Sequence, residues 1–481
     1  MTLTDHSRSN GHVKTSPAAL IDTDAPSAGD PSMQAWGRFP VAAKQDVLAP
    51  GWLDGIESVW SRAGLLLPRG QGRSYGDSCT NDGGALIYTG NLRRLIAFDP
   101  EAGIIRCEAG TTLAEIIDFA VPHGWFLPTT PGTKFVSVAG AIANDVHGKN
   151  HHVAGTFGRH VTRFALMRSD GRTLICTPDE NTELFRATIG GLGLTGIILW
   201  AEFRLRRVSG PFIDMESVRF GSLDEWFDLS VQSDHDFEAT MSWVDCLATG
   251  SSLGRGLFMR GNHAWQPRIP GKSPQVAQRV GVPFDLPGWM LNGMSVKAFN
   301  AVLYYKQPVK KIRKTVPFDP FFYPLDSIKN WNRMYGKRGF LQHQFVVPHA
   351  AAREAVTKVL ERVSASGEGS FLAVLKTFGD KPSPGMMSFP RPGVTLALDF
   401  PHKGSSTLRL LGELDLIVLD HEGAVYPAKD ARMSPATFEA SFPHWRDFVP
   451  YIDERLSSGF WRRVTTGLSY PTTASKKGSK A

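Results

Sequence analysis

Cysteine and long apolar runs are scarce in this sequence. Its 481 residues contain four cysteines, Cys79, Cys107, Cys176 and Cys246, and no C-x-x-C pair. Cysteines so widely spaced exclude a disulfide-stapled scaffold and a zinc ribbon, and they favour a reducing compartment, so we expect a cytoplasmic protein. No stretch approaches the roughly eighteen uninterrupted apolar residues of a membrane span, so any membrane contact is expected to be peripheral.

The amino terminus lacks the basic start and apolar run of a signal peptide. Residues 1–32 are instead rich in Ser, Pro, Asp and Gly, which predicts a disordered tail, and residues 473–481 form a short basic tail. The chain between them is long enough for two or three domains with sizeable cores.

The charge is moderately basic, with a net charge of +7 and a pI of about 9.2. This favours anionic partners, but the 46 acidic residues are spread throughout, unlike the arm of a nucleic-acid-binding protein. One basic run, Lys306 to Lys314, lies beside several aromatic residues. It is typical of a solvated face, or of a face that meets an anionic membrane surface.

Small residues are concentrated between Pro131 and Gly158, where nine Gly and Ala residues and three histidines accompany one acidic side chain. The bare backbone lets a planar or phosphorylated ligand approach the amide donors. His147 and Lys149 add a titratable imidazole and a cation, which suit an anionic substrate. The alternative is that the small residues pack a helix on a sheet and that His147 is a hydrogen-bonded core histidine.

The same histidines are candidate metal ligands. His147 and His151 are four residues apart and would share a helix face, and His152 adds a third nitrogen. Gly148 argues against a regular helix there, and no carboxylate or cysteine completes a set at a recognised spacing. We therefore predict no metal site.

Two further glycine-rich segments precede or follow apolar stretches. The loop RGQGRSYGD, Arg69 to Asp77, offers amide donors to a pyrophosphate, and Arg73 could add a charge-assisted bond, although a tight turn would also explain the glycines. Gly191, Gly193 and Gly196 match the G-x-G-x-x-G spacing of a dinucleotide fold. The β-rich sequence that follows them argues against NAD binding by this route, because that motif must open a helix.

Short strand and helix patterns alternate up to residue 204, which predicts an α+β domain, and the composition changes near Gly210, where we place a domain boundary. Farther on, the alternating strand FLQHQFVV puts Gln342 and Gln344 on one face, where amides suit sugar hydroxyls or simply an exposed sheet. Lys376 lies in a later strand. Lys429 follows Tyr426 in a polar loop, where a solvated lysine is the plain alternative.

A resemblance to a known family extends from Trp36 to Arg463. It is carried, in order, by RGQGRSYGD, PGTKFVSVAGAIANDVHGKNHH, GGLGLTGII, FLQHQF and YPAKDAR. The chain closely resembles the decaprenylphosphoryl-β-D-ribose oxidases, which belong to the vanillyl-alcohol-oxidase-like flavoprotein superfamily.

The resemblance implies an FAD-binding domain made of two chain segments, residues 33–210 and 424–472, with an antiparallel-sheet substrate domain, residues 211–423, inserted between them. It also implies that FAD lies against Arg69, Gly70, Gly72, Arg73, Ser74, Tyr75, Gly76, Asp77, Gly132, Ser137, Gly140, Asn144, His147, Ile198 and Tyr426. Many members of the superfamily attach the flavin to a histidine in the first glycine loop. That loop holds no histidine here, so we expect noncovalent FAD.

The implied reaction oxidises the ribose 2-hydroxyl of a polyprenyl-phosphoryl ribose to a keto sugar, the first half of an epimerisation to the arabinose donor for cell-wall synthesis. The flavin takes a hydride, a partner reductase completes the epimerisation, and the lipid-linked substrate implies peripheral contact with the inner membrane. Loss of the hydroxyl proton needs a base or an electrostatic sink. The candidate catalytic residues are Lys429, Tyr75 and His147, and the candidate substrate-binding residues are Lys149, Gln344 and Lys376.

Three positions depart from the family pattern. Ala397 stands where mycobacterial members have a cysteine, so inhibitors that bond to that sulfur should fail to attach, and Thr395 replaces a neighbouring asparagine. Phe322 matches a family tyrosine, which affects substrate recognition. The alternative within the superfamily is an oxidase of a free alditol, sugar or lactone, and the alternative outside it is a noncatalytic basic protein that binds nucleic acid or membrane anions.

Overall fold

The computed structural model describes residues 30–265 and 280–469, together with Pro26. Most of the predicted amino-terminal tail and all of residues 473–481 lie outside this range. Within it, Asp30 caps a short 3-10 helix, Pro31–Met33, by accepting a hydrogen bond from the Ser32 amide, and Met33 is buried. The described chain is therefore already packed against the fold at Met33.

Strands and helices alternate along the chain. The strands are β1 Asp46–Leu48, β2 Leu66–Arg69, β3 Ala85–Tyr88, β4 Leu95–Asp99, β5 Ile104–Glu108, β6 Trp125–Phe126, β7 Val161–Met167, β8 Thr173–Cys176, β9 Ile197–Arg204, β10 Arg206–Arg207, β11 Phe212–Phe220, β12 Ala239–Val244, β13 Gly256–His263, β14 Val280–Gly281, β15 Lys311–Pro317, β16 Ile328–Lys329, β17 Phe340–Val347, β18 Ala373–Phe378, β19 Gly393–Pro401 and β20 Ala424–Val425. The α-helices are α1 Leu113–Ala120, α2 Val138–Ala143, α3 His151–Ala154, α4 Thr182–Thr188, α5 Leu223–Ser233, α6 Gly293–Tyr305, α7 Phe318–Phe322, α8 His349–Ser366, α9 Ser405–Asp420, α10 Pro435–Ser441, α11 Trp445–Phe448 and α12 Gly459–Val464.

The amino-terminal part contains two sheets. Strands β1, β3 and β2 pair in parallel, and β4, β5, β9, β7 and β8 form an antiparallel sheet in that order. The prediction that a strand follows Gly196 is confirmed by β9, whose alternate residues are buried toward its end. α1 begins at a capping box in which Thr112 and Glu115 satisfy each other's backbone amides.

The eight-stranded sheet begins after Gly210. Its order is β15, β11, β13, β12, β18, β19, β17 and β20, with antiparallel pairing throughout. The predicted α+β class with antiparallel sheets is confirmed.

The register of this sheet separates an apolar face from a polar one. His343 faces α9, since its Nε2 lies 2.9 Å from Asp415 Oδ1, and Phe345 and Leu396 join the apolar core that α8 and α9 cover. Side chains alternate along a strand, so the residues next to these in each strand point away from α8 and α9. Gln342 pairs opposite Asp399, Gln344 opposite Ala397, and Lys376 opposite Thr395.

The carboxy-terminal part packs back on the first glycine loop. Leu456 forms a parallel bridge with Leu66, and the Gly459 amide donates to Thr80. Arg463, at the end of α12, donates to Asp77 Oδ1 at 2.6 Å and to Asp430 Oδ2 at 2.9 Å. Both carboxylates are buried, so this cation joins distant parts of the chain.

Candidate active site

A cavity of about 500 Å³ lies between the glycine-rich loops and the polar face of the eight-stranded sheet. The loop after β2 and the segment from Thr130 to Lys149 line one side, and residues of β17, β18 and β19 line the other. Two chain regions that the sequence analysis treated separately therefore face a common space.

Close contact between two glycine loops shapes one wall. A Cβ on Gly70 would clash with Ser137 Oγ, and one on Gly72, whose φ is +59°, would clash with the Arg69 guanidinium. The Ser137 hydroxyl caps α2 by accepting a hydrogen bond from the Gly140 amide at 3.2 Å. Packing therefore requires glycine at position 70, and packing and the positive φ together favour it at position 72.

Two charged residues of the first loop have structural partners. The Arg69 guanidinium donates to the carbonyls of Ser32, Met33, Gln34 and Cys79, so it ties the loop to the amino-terminal segment. Asp77 pairs with Arg463, and among the described residues neither Asp77 nor Gly76 lines the cavity, unlike Arg69. The expectation that both contact a ligand thus finds no support in this arrangement, because the Asp77 carboxylate points to α12.

Arg73 and Ser78 are among the cavity-lining residues whose buried donors lack acceptors within the described chain. Arg73 Nε and Ser78 Oγ are buried without a hydrogen-bond partner there. The Arg73 guanidinium carbon lies 4.3 Å from the centre of the Trp36 ring, and burial lowers the Arg73 pKa. A buried donor without an acceptor is costly, so an anionic ligand group in this wall would stabilise both side chains.

The second loop leaves further room. A Cβ on Gly132 would meet no atom within 4 Å, and Ile198 contributes an apolar side chain to the same cavity. The Tyr426 hydroxyl donates to the Asn144 carbonyl at 3.1 Å, which fixes the end of α2. This open, partly apolar wall suits a flat ring system.

His147 is held by two polar neighbours. Lys376 Nζ lies 2.9 Å from His147 Nδ1, and the Gln344 side-chain amide lies 3.1 Å from Nε2. A neutral imidazole has one acceptor nitrogen; the Gln344 amide nitrogen donates to Nε2, so Nδ1 carries the ring proton and faces the Lys376 amine. Burial, and then the charge of Lys376, hold the His147 pKa well below its usual range. His147 is thus a neutral side chain that orients Lys376 and Gln344.

Lys149 and Lys376 form a second group of donors. Lys149 Nζ donates to the Phe321 carbonyl and lies 4.9 Å from the Phe321 ring centre. Burial lowers the pKa of Lys149 to about 7, and burial together with the charges of Lys149 and Lys429 lowers that of Lys376 to about 7. Both lysines line the cavity. A bound anion would favour their protonated forms, so the pair can recognise an anionic substrate group.

Lys429 is partly buried and lies above the Tyr75 ring, with Nζ 3.7 Å from its centre. Burial lowers the Lys429 pKa, while the charge of Asp399 opposes that shift. Asp399 accepts a hydrogen bond from the Gln342 amide, and the Tyr335 hydroxyl lies 3.4 Å from its second oxygen. The interpretation of Lys429 as a solvated lysine is wrong. It is a partly buried amine with an aromatic face beneath it and a carboxylate behind it.

The cavity brings together most of the predicted site residues. These are Arg69, Gly70, Gly72, Arg73, Ser74, Tyr75, Gly132, Ser137, Gly140, Asn144, His147, Lys149, Ile198, Gln344, Lys376, Tyr426 and Lys429. The positions that depart from the family pattern, Phe322, Thr395 and Ala397, also line it. Ala397 has no sulfur, and it lies opposite Gln344 in the sheet.

The sequence analysis missed several residues of this site. Gly193 and Gly196 line the cavity, although the sequence analysis predicts no ligand contact for them. Asp399 and Gln342 form the pair behind Lys429. The signal for Asp399 was a carboxylate in an otherwise apolar strand, VTLALDF, since such a group must find a buried partner.

Among the described residues, no group of three or more His, Cys, Asp or Glu side chains could hold a metal ion. His147 and His151 both pack against one aromatic neighbour, with ring centres 4.7 Å and 4.5 Å from that of Phe378. The described part of the chain also has no helix long and apolar enough to cross a membrane.

Comparison with known proteins decides the family. Residues 56–177 match the model of an FAD binding domain. The chain is 36% identical over 391 residues to the decaprenylphosphoryl-beta-D-ribose oxidase of Mycolicibacterium smegmatis, covering 80% of this chain and 84% of that protein. The chain belongs to the decaprenylphosphoryl-β-D-ribose oxidase family. An uncharacterized Streptomyces coelicolor protein is 30% identical over 347 residues, covering 70% of this chain and 94% of that one.

Similarity to other flavoenzymes is confined to part of the chain. A putative D-arabinono-1,4-lactone oxidase of Neurospora crassa is 32% identical over 137 residues, which is 28% of this chain and 24% of that protein. The predicted family and its FAD-binding fold are therefore confirmed. The loop wall described above fits such a cofactor, since Arg73 and Ser78 supply unsatisfied donors and Gly132 leaves space beside them.

Proposed function

We propose that this protein oxidises the ribose 2-hydroxyl of a polyprenyl-phosphoryl ribose to the keto sugar with bound FAD. The observation that carries the proposal is one cavity that joins the glycine loops, the Lys149 and Lys376 pair, and the partly buried amine of Lys429. The named activity of the Mycolicibacterium smegmatis relative, which covers most of both chains, supports the same substrate class.

The cofactor would lie between two segments of the chain, residues 33–210 and 424–472. The Arg463 contacts with Asp77 and Asp430 and the bridge between Leu456 and Leu66 support this division, because they join the carboxy-terminal segment to the first glycine loop. Arg73 and Ser78 would bind the pyrophosphate, and Tyr426 and Ile198 would flank the ring.

Attachment of FAD would be noncovalent. The loop residue Arg73 carries no nucleophilic imidazole, and its guanidinium stacks on Trp36. His147, which lines the cavity, has both ring nitrogens engaged by Lys376 and Gln344. Neither side chain is therefore disposed to bond to the cofactor.

Lys149 and Lys376 would recognise the phosphate of the substrate. Two amines whose pKa values are lowered by burial gain most from an anion that arrives in the same desolvated space. Gln344 would hydrogen-bond the sugar, with its amide oriented by His147 and by Thr395, whose Oγ1 lies 3.3 Å away.

Lys429 would accept the proton of the 2-hydroxyl. Bound FAD supplies the hydride acceptor, and the carbon–hydrogen bond of the same CH–OH group is broken as the carbonyl forms. Burial lowers the Lys429 pKa and so favours the neutral amine, which can accept the proton. The ammonium that forms is stabilised by the Tyr75 ring and by the charge of Asp399.

The substrate class implies two partners. A reductase for the keto sugar would complete the epimerisation to the arabinose donor. A peripheral contact with a membrane surface, on the cytoplasmic side, would give access to the lipid-linked substrate.

Product analysis tests the proposal. The purified protein is incubated with a short-chain prenyl-phosphoryl ribose and an artificial electron acceptor, and the product is reduced with borodeuteride. We expect loss of two hydrogen atoms and deuterium at carbon 2. Oxidation of free alditols or lactones without oxidation of the lipid-linked ribose would support the alternative activity instead.

A further inference from the structure

The face of α6 that points away from the protein is apolar. Met294, Val302 and Tyr305 are 82%, 70% and 61% exposed, and with Ala298 they repeat at intervals of three and four residues. Residues at these intervals share one side of a helix. The opposite side carries Val296 and Asn300, both buried.

This helix is firmly attached to the sheet. Asn300 donates to Asp245 at 3.0 Å and to the Ser370 carbonyl at 3.3 Å, and the Phe299 ring packs on Phe371. The exposed stripe therefore belongs to a fixed element, and three large apolar side chains on one exposed stripe mark an interaction surface.

Basic residues predominate in α6 and in the segment that follows it. Between Asp285 and Asp319 the sequence has six basic residues and no acidic residue. Lys297 and Lys306 are exposed on α6 and just after it, and the others follow on or next to β15, the edge strand. Glu216 and Glu225 pair with Lys311, Arg313 and Lys310, but two carboxylates leave the region cationic.

We propose that the α6 face, Met294, Ala298, Val302 and Tyr305 with the flanking Lys297 and Lys306, docks the protein on an anionic lipid bilayer. An apolar stripe flanked by lysines is the arrangement of helices that lie in a membrane interface. A second copy of this chain fits less well, because a symmetric contact would bring the same lysines together.

The inner side of α6 and the cavity share one aromatic cluster. Leu291, just before α6, and Phe371, which packs on it, belong to the aromatic cluster of Trp331 and Tyr335. Trp331 also lines the cavity. The choice of a bilayer rests in part on the proposed function, since a polyprenyl substrate resides there.

Vesicle sedimentation with the full-length, FAD-loaded protein tests the proposal. We expect binding to vesicles that contain phosphatidylglycerol and much weaker binding to pure phosphatidylcholine. M294E/V302E should lower the partition coefficient tenfold or more, and K297A/K306A by about fivefold for each lysine. V231E/L416E is the matched control, because those side chains are 79% and 62% exposed elsewhere and the charge change is equal.

Several outcomes would overturn the proposal. One is a failure of the parent protein to bind either vesicle, and another is equal loss of binding in M294E/V302E and V231E/L416E. Self-association without lipid that M294E/V302E abolishes would assign the face to a second copy. Flavin reduction by a soluble short-chain substrate should be unchanged in M294E/V302E. If the parent protein binds vesicles but the substrate never reduces its flavin, the proposed function is contradicted and the membrane-docking proposal still holds.

Discussion

Replacing Lys429 with methionine should nearly abolish substrate oxidation while FAD binding persists. Methionine keeps the length of the side chain and its contact with the Tyr75 ring but removes the amine. Because Lys429 contacts the Tyr75 ring and is not one of the donors assigned to the cofactor, Arg73 and Ser78, we expect the cofactor content to match that of the parent.

The magnitude follows from the role of the amine. A positioned general base contributes roughly 10²- to 10⁴-fold to a rate, equivalent to about 3 to 5 kcal/mol of the barrier. Two unit charges about 3 Å apart at an effective dielectric constant of 20 interact by roughly 5 kcal/mol, so stabilisation of the developing alkoxide is of the same size. We therefore expect a loss of about 10³-fold in the rate of flavin reduction.

Anaerobic stopped-flow measurement of flavin reduction provides the assay, since it reports the chemical step and not the later transfer to an acceptor. Lys329→Met is the control, because Lys329 is an exposed lysine in the cavity lining. Equal rates in Lys429→Met and the parent would refute the reasoning.

Asp399→Asn supplies a second check. Loss of the Asp399 charge should lower the Lys429 pKa further and move the rising limb of the pH–rate profile to lower pH.

Three further predictions concern the cofactor loop, the anion site and the return segment. Arg73→His should permit covalent attachment of the flavin, and an acid-denatured polypeptide free of flavin would count against position 73 as the attachment site. Substrate binding should weaken as the pH rises through about 7, because the pKa values of Lys149 and Lys376 are lowered to that range and their protonated forms bind the phosphate; a pH-independent KM in the parent would contradict this. Arg463→Met should lower the free energy of unfolding in urea by roughly 3 to 5 kcal/mol, since two buried carboxylates lose their partner, and an unchanged midpoint would show that the ion pairs do not join the segments.

The glycine loops were predictable from the sequence because their signals are local. Gly70 and Gly72 occur where the backbone must approach Ser137 and Arg69, and such positions appear as glycines close together in the chain. The side of the sheet that Gln342 and Gln344 share also followed from simple alternation along β17. Each of these features depends on a few neighbouring residues.

The partners of Lys429 were not predictable in the same way. Gln342 and Asp399 are 57 positions apart and meet only through the register of β17 and β19. The environment of Lys429 likewise depends on a long-range contact, in which the Tyr75 amide donates to the Ala428 carbonyl. The local sequence shows only a polar loop, which suggests a solvated amine. Asp77 is a related case, because a residue inside a ligand-like motif has its structural partner, Arg463, far along the chain.

The anaerobic visible spectrum of the purified protein, recorded before and after addition of a short-chain prenyl-phosphoryl ribose, tests the account most directly. We expect an oxidised flavin band that bleaches when this substrate is added. A flavin band that survives the lipid-linked ribose but bleaches with alditols or free sugars would keep the fold and contradict the proposed substrate. A colourless protein that shows no flavin band even after FAD is supplied would contradict the account as a whole.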